Sequence, residues 1–355
     1  MTIKATLCID RAVGETRRAL LDPFGRPFRL EIERWSERSR AHLDEVWWGR
    51  AKARAPGAKG WFVDLGSEPD GVIEATKSAA IIEGGLIPVR IKSEARADKG
   101  PALSLADMSA ATPRPDRPGL HAPAPTDPFK TGVEIIATIE GAPARKEIDA
   151  AIAEVLHPEA PIPDGGDLAI ERTRALTAID VDAGARTGGQ GEAFARDLNL
   201  AAADEAARQL GLRGIGGLVV VDFLSMAARK DRAAVTDAFR KALASWLGRA
   251  SEVAEISALG LCEASLARRL RPVFDALRAT PAAEREGLDV IRGLESEGWA
   301  ARGARLRALV SAPAARWLEA DRIGWKPALA ERIGARWAIE VDDRTVGQPQ
   351  IWSVR

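Results

Sequence analysis

Tyrosine is missing from this sequence, histidine occurs three times and cysteine twice. His42, His121 and His157 lie in unrelated settings and suggest no catalytic triad. Cys8 and Cys262 are far apart and in apolar surroundings, which suits reduced core thiols in a reducing compartment better than a disulfide or a metal knuckle. There is no Gly-x-x-x-x-Gly-Lys phosphate loop and no His-Glu-x-x-His pair. No apolar run approaches the ~20 residues that cross a bilayer, and no charged-then-apolar leader opens the chain. The expectation is therefore a cytoplasmic protein with no membrane partner. Excess charge of either sign is also lacking: Lys plus Arg and Asp plus Glu each number 51. That excludes a uniformly basic coat for nucleic acid but not an enzyme with local basic patches. With no tyrosine, the ten tryptophans are the conspicuous aromatics. Trp47, Trp48 and Trp61 crowd one region and Trp317, Trp325 and Trp337 another, where packing is the default role.

The most informative stretch is Ala175 to Met226, ALTAIDVDAGARTGGQGEAFARDLNLAAADEAARQLGLRGIGGLVVVDFLSM. Ala175 to Val181 is an apolar run followed and interrupted by Asp182 and Asp180; residues two apart in a strand share a face, so these carboxylates point the same way. Glu192 to Leu210 is rich in Ala, Leu, Glu and Arg and predicts a helix. Gly217 to Phe223, GLVVVDF, is a buried-strand pattern with Asp222 near its end. Strand, helix, strand is a right-handed parallel crossover that would bring Asp180 and Asp222 to one edge of a sheet. Such carboxylates make a hard-oxygen site suited to Mg²⁺ or Mn²⁺. From spacing alone, the competing reading is that Asp182 and Asp222 cap following helices.

Elsewhere, residues 2–33 alternate as β-structure around the turn Asp22-Pro-Phe-Gly-Arg-Pro. VWWGRAKARAPGAKGWFVDLGSEPDGVI, from Val46, reads as short strands divided by Pro-Gly and Gly turns, which fits a small OB-type barrel. Six prolines fall within residues 110–129, a linker or an extended covering segment. Lys130 to Leu156 reads as a strand and an amphipathic helix. Arg229 to Trp246 is a helix with Val235, Phe239, Ala242, Leu243 and Trp246 on one face.

ALTAIDVDAGAR, NLAAADEAARQL and LRGIGGLVVVDFLSM resemble the catalytic DNase I-like subdomain of the ribonuclease E/G family. The resemblance implies that Asp180 and Asp222 hold a catalytic Mg²⁺, with Mn²⁺ as the substitute, and that Asp182 stands where the family usually has Asn. It implies a phosphate-steadying role for Arg186. The Val46 region is similar to the family's S1-type domain, which implies RNA stacking on Phe62, with Arg50, Lys52, Arg54 and Lys59 nearby. Pro88 to Leu103 resembles its closing strand, with Lys99 in the RNA-holding position, while Val72 replaces a second aromatic. The implied fold is α/β (α+β, multi-subdomain): an RNase H-like subdomain split over 1–40 and 130–165, an S1-type OB domain at 41–108, a Pro-rich linker at 109–129, the catalytic subdomain at 166–280 and a small C-terminal domain at 281–355.

Three departures accompany the resemblance. No 5′-sensor subdomain fits between Ala110 and Glu171. The basic run after the catalytic helix is reduced to Arg249, and Ser225 replaces a further acid. No Cys lies between Leu270 and Gly287, so neither a structural zinc nor a zinc-linked dimer is expected, leaving monomer or unlinked dimer open. The implied function is a Mg²⁺-dependent endoribonuclease on single-stranded RNA, indifferent to the 5′ phosphate. The alternative is an RNA-binding protein of the same fold with weak or lost activity.

Overall fold

The computed structural model describes residues 2–54, 60–74, 81–96, 99–109, 112–163, 165–184, 192–248, 251–342, 344, 347 and 349–354. Four β-sheets and seven α-helices make up the described residues, a mixed α/β architecture with one closed barrel.

Strands β1 (Ile3–Ala12), β2 (Glu15–Leu21) and β3 (Pro27–Arg34) form an antiparallel meander. The turn between β2 and β3 is tied by Asp22, whose Oδ1 accepts from the N–H groups of Phe24 and Arg26, both at 2.9 Å. The chain then leaves for a barrel of β4 (Val46–Arg54), β5 (Gly60–Asp64), β6 (Gly71–Glu74), β7 (Leu86–Ser93) and β8 (Ala102–Leu105). Its ring closes in the order β4, β5, β6, β8, β7 and back to β4, with only the β6–β8 pair parallel. Trp47, Val63, Leu65, Ile73, Val89, Ile91 and Leu103 fill it. The proline-rich stretch is strapped to this barrel: β9 (Gly119–Ala122) pairs with β4.

After the barrel, β10 (Val133–Glu140) returns to lie parallel beside β1, and α1 (Ala142–Leu156) covers that first sheet through Ala144, Ile148, Ala151 and Val155. The next sheet, in the order β11 (Glu159–Pro161), β12 (Asp167–Arg172), β13 (Thr177–Asp182), β14 (Gly217–Asp222), β16 (Leu261–Leu266), β15 (Glu252–Val253), is mixed. Helices α2 (Glu192–Leu212) and α3 (Arg229–Leu247) cover one of its faces. The five apolar positions read from the α3 pattern are all buried there. Beyond it, α4 (Val273–Ala279) leads to a unit in which α5 (Ala282–Ala300), α6 (Ala312–Ala320) and α7 (Trp325–Ile333) pack on β17 (Arg305–Val310), β18 (Trp337–Val341) and β19 (Gln350–Val354) around Trp325 and Leu294. Cys8 and Cys262 are free and fully buried, and burial first of all raises their thiols to about 11 and about 12. None of the described helices is long and apolar enough to cross a membrane.

One buried carboxylate joins the barrel to the second half of the chain. Glu94, just past β7, accepts from Arg40 Nη1 at 3.0 Å, from the Leu43 N–H at 3.2 Å and from the Arg271 N–H at 3.0 Å, with His42 Nδ1 at 3.7 Å. Burial alone would raise its pKa, but the His42 and Arg40 contacts and the Arg271 N–H overcome that and hold it at about 2. The Glu94 carboxylate beside it in turn raises His42. A carboxyl depressed from 4.5 to about 2 contributes stability that is complete above 4.5 and disappears as pH falls toward about 2. The raised imidazole contributes below 6.5 and loses its share as pH rises through its folded value. Glu94→Gln should therefore destabilise the protein by roughly 3–5 kcal/mol, as expected for a broken buried ion pair. In urea melts across a pH series, the gap from wild type should be widest between pH 4.5 and 6.5 and close on acidification; a pH-independent gap would contradict this assignment.

Candidate active site

In β13, Thr177, Ile179 and Val181 face the helices and are buried, so Asp180 and Asp182 project from the opposite face and are exposed. In β14, Val219 and Val221 are buried and Asp222 is exposed. The two strands pair in parallel from Thr177–Val219 to Asp180–Asp222, so the carboxylate-bearing residues are direct partners across the sheet. Parallel neighbours lie ~4.8 Å apart, close enough for both side chains to reach one small cation. Asp182 falls two residues further on, with Asp167 of β12 as its cross-strand partner. Sequence reasoning misses Asp167, although its place two residues before Ala169 in an alternating strand puts it on the same face.

The buried-strand reading of β14 is corrected in one respect. Leu218 is 42% exposed, so only one face of the strand is covered. The reason is topological: β12 and β16 flank the parallel pair in antiparallel sense, and such a mixed sheet needs no second helix layer. The site is thus an open face rather than a crevice between layers.

The capping alternative fails for Asp222, because α3 starts seven residues later with Ala228 at its N-cap and no side-chain cap bond. Asp182 accepts from the Gly184 N–H at 2.8 Å, which ties a turn at the strand end. The path of the chain beyond β14 is fixed by Asn199 of α2, fully buried, whose Nδ2 donates to the Leu224 carbonyl at 2.9 Å and whose Oδ1 accepts from the Leu224 N–H at 3.0 Å. Farther along α2, Arg208 pairs with Glu205 and Glu154, and Arg213 reaches the Glu154, Val155 and His157 carbonyls. Through these bonds the polar residues in and just beyond DEAARQL join α2 to α1.

On the barrel, Trp61 and Val63 point inward, so Phe62 points out, opposite Val72. Exposed Lys99 sits in a tight turn with Arg96. The following Gly100 is required, since a Cβ there would lie 1.7 Å from the Asp70 carbonyl oxygen. Arg50 is committed to the barrel, donating to the Gly84 and Asp116 carbonyls at 2.9 and 3.1 Å. Lys52 is paired with Asp70 at 2.8 Å, and Arg54 lies over Trp61. Lys59, Arg186 and Arg249 lie outside the described residues.

Residues 127–269 match the model of the Ribonuclease E/G family. Over these residues the chain is similar to members of that family. It is 42% identical over 132 residues to Ribonuclease E of Nostoc sp. (strain PCC 7120), and 41% identical over 127 residues to Ribonuclease E of Escherichia coli (strain K12). It is 39% identical over 129 residues to a chloroplastic Ribonuclease E/G-like protein of Arabidopsis thaliana. Each match takes in 36% of this chain, and 19%, 12% and 13% of the respective relative, so the chain spans a fifth or less of their lengths. The family match contains β10, α1 and the whole sheet carrying Asp180 and Asp222; the barrel and the C-terminal unit lie outside it.

Asn199→Leu should cost about 1–3 kcal/mol, because it leaves the buried Leu224 N–H and carbonyl without partners. Denaturant titration would measure this, and a variant as stable as wild type would show that the clamp is dispensable.

Proposed function

We propose that this protein is a divalent-metal-dependent endoribonuclease acting on single-stranded RNA. The observation that carries the reading is the pairing of Asp180 with Asp222 on an exposed sheet face, within the stretch that matches the model of the Ribonuclease E/G family. The donor set fits Mg²⁺, or Mn²⁺ in its place: it is all oxygen, and Mg²⁺ commonly takes one or two carboxylates and completes its shell with water and substrate phosphate. When bound, such a cation supplies charge to stabilise the in-line transition state and a water of lowered pKa.

The protein's own contribution is placement. Asp180 and Asp222 fix where the cation sits relative to the sheet, and Asp182, held by its turn, orients the water or a further ligand. The barrel's closed order, with its one parallel pair, supports the OB-type reading. Phe62 on its outer surface offers a stacking face for a base and Lys99 a charge for the backbone, while Arg50 ties the barrel wall to Gly84 and Asp116. Arg186 remains a candidate phosphate ligand on the strength of its motif. The buried thiols accord with a reducing compartment.

Asp222→Asn should lower Mg²⁺-dependent cleavage of a single-stranded RNA oligonucleotide at least ~100-fold, the loss of several kcal/mol of charge stabilisation. Folding stability should be unchanged or slightly higher, since a carboxylate repulsion is relieved. Undiminished cleavage by this variant would sink the assignment, and RNA binding without cleavage by wild type would point to the binding-protein reading. Because the strand Gly119–Ala122 is strapped to the barrel where a sensor subdomain would be inserted, oligonucleotides with 5′-hydroxyl and 5′-monophosphate ends should be cut at rates within a small factor of each other. A strong preference for the monophosphate, measured in parallel time courses, would overturn that.

A further inference from the structure

The open face of the sheet carries opposite charge at its two ends. Where β13 and β14 finish stand Asp180 and Asp222. Where they begin, a cleft of about 200 Å³ is lined by Arg96, Arg172, Arg174 and Arg268, with Asp275 as its one acid. Asp275 is paired to Arg172 at 2.9 Å, and Arg174 and Arg268 add further positive charge to the cleft.

The cluster is built into the backbone. Arg172 and Arg174 flank Thr173 in the turn from β12 to β13, and Thr173 Oγ1 ties that turn by accepting from the Ala175 and Leu176 N–H groups at 3.3 and 3.1 Å. Arg268 lies across the start of β14, its Nε donating to the Gly216 carbonyl at 3.3 Å. A Cβ on Gly217 would come within 2.2 Å of its guanidinium, and Gly217 has a φ of +99°. The Gly-Gly pair before LVVVDF therefore makes room for this arginine. Arg96 arrives from the barrel, on the turn that carries Lys99. Arg174 makes no hydrogen bond or ion pair among the described residues. Exposed Leu218 adds an apolar surface.

We propose that this cleft is a phosphate-binding subsite that holds the phosphodiester backbone of single-stranded RNA between the barrel and the Asp180–Asp222 pair. The proposal rests on the endoribonuclease reading. Guanidinium forks match phosphate oxygens in pairs, and like charges gathered in one cleft are stabilised by an anion among them. Its location suits a substrate path. Lys99 stands at one side, and Asp222 lies four residues along β14 from Leu218, ~13 Å at ~3.3 Å per residue. RNA crossing the cleft would meet the carboxylates a few nucleotides on.

The test is fluorescence anisotropy of the full chain with a labelled 5′-hydroxyl single-stranded RNA, in EDTA to prevent turnover, over a salt series. Arg174→Gln changes an exposed turn residue, and Arg268→Gln is the second variant; unchanged circular dichroism verifies folding. Each should weaken binding about tenfold, and each should lower the slope of log affinity against log salt by ~0.7. Wild type that binds RNA while both variants match it in affinity and slope overturns the subsite and leaves the endoribonuclease reading standing. Wild type that binds no RNA overturns both. Weakened binding confined to 5′-monophosphorylated RNA would make the cleft a terminal-phosphate pocket and overturn the proposal as stated.

Discussion

The parallel register between Thr177–Asp180 and Val219–Asp222 is the constraint on which the candidate chemistry depends. A shift of one residue would turn every side chain of the moved strand to the other face. Asp222 would then enter the core while Val221 left it. The register is held from the helix side, because Ile179, Val181, Val219 and Val221 belong to the largest hydrophobic core and have nowhere else to be buried. Hydrophobic burial therefore places the carboxylates although none of its energy acts on them directly.

Around that register, buried polar groups are used as joints. The Glu205–Arg208–Glu154 pairs and the Arg213 bonds to the end of α1 connect the sheet carrying Asp180 and Asp222 to the first sheet. Desolvation lowers the Arg213 guanidinium to about 10, a sign of how completely it is removed from water. Glu94 does the corresponding work for the barrel. Paired and hydrogen-bonded in this way, buried charges specify one docking geometry at little net gain in stability. The proposed endoribonuclease activity would need such geometry, since the barrel and the carboxylates would have to address the same strand of RNA.

The zero net charge conceals a separation. Acids gather at the finish of β13 and β14, and arginines gather at their start and toward the barrel. An uncharged total disfavours indiscriminate binding, while local fields of opposite sign would let the proposed polyanion lie on one side and the proposed cation on the other. The open face makes this arrangement accessible, and it exists because antiparallel neighbours relieve the parallel pair of a second helix layer.

By itself, the sequence determined the strand–helix–strand unit, because alternation in Ala175–Asp182, the long Ala-rich helix and the valine run of β14 each have a strong local preference. It determined that Asp180 and Asp182 share a face, and the motifs around them carried the family resemblance. Phe62 could also be read as an outward aromatic, since Trp61 and Val63 bracket it in an alternating strand. Tertiary structure alone decided the rest. That Asp180 faces Asp222, that β14 is bare on one side, and that Arg50 is bound up in the barrel wall depend on which strands become neighbours. Arg96, Arg172, Arg174 and Arg268 share a cleft although up to 172 positions separate them, and exposed arginines leave no periodic pattern to read. Local propensity is written in neighbouring residues, whereas a charge cluster assembled from distant turns comes into being only when the sheet closes.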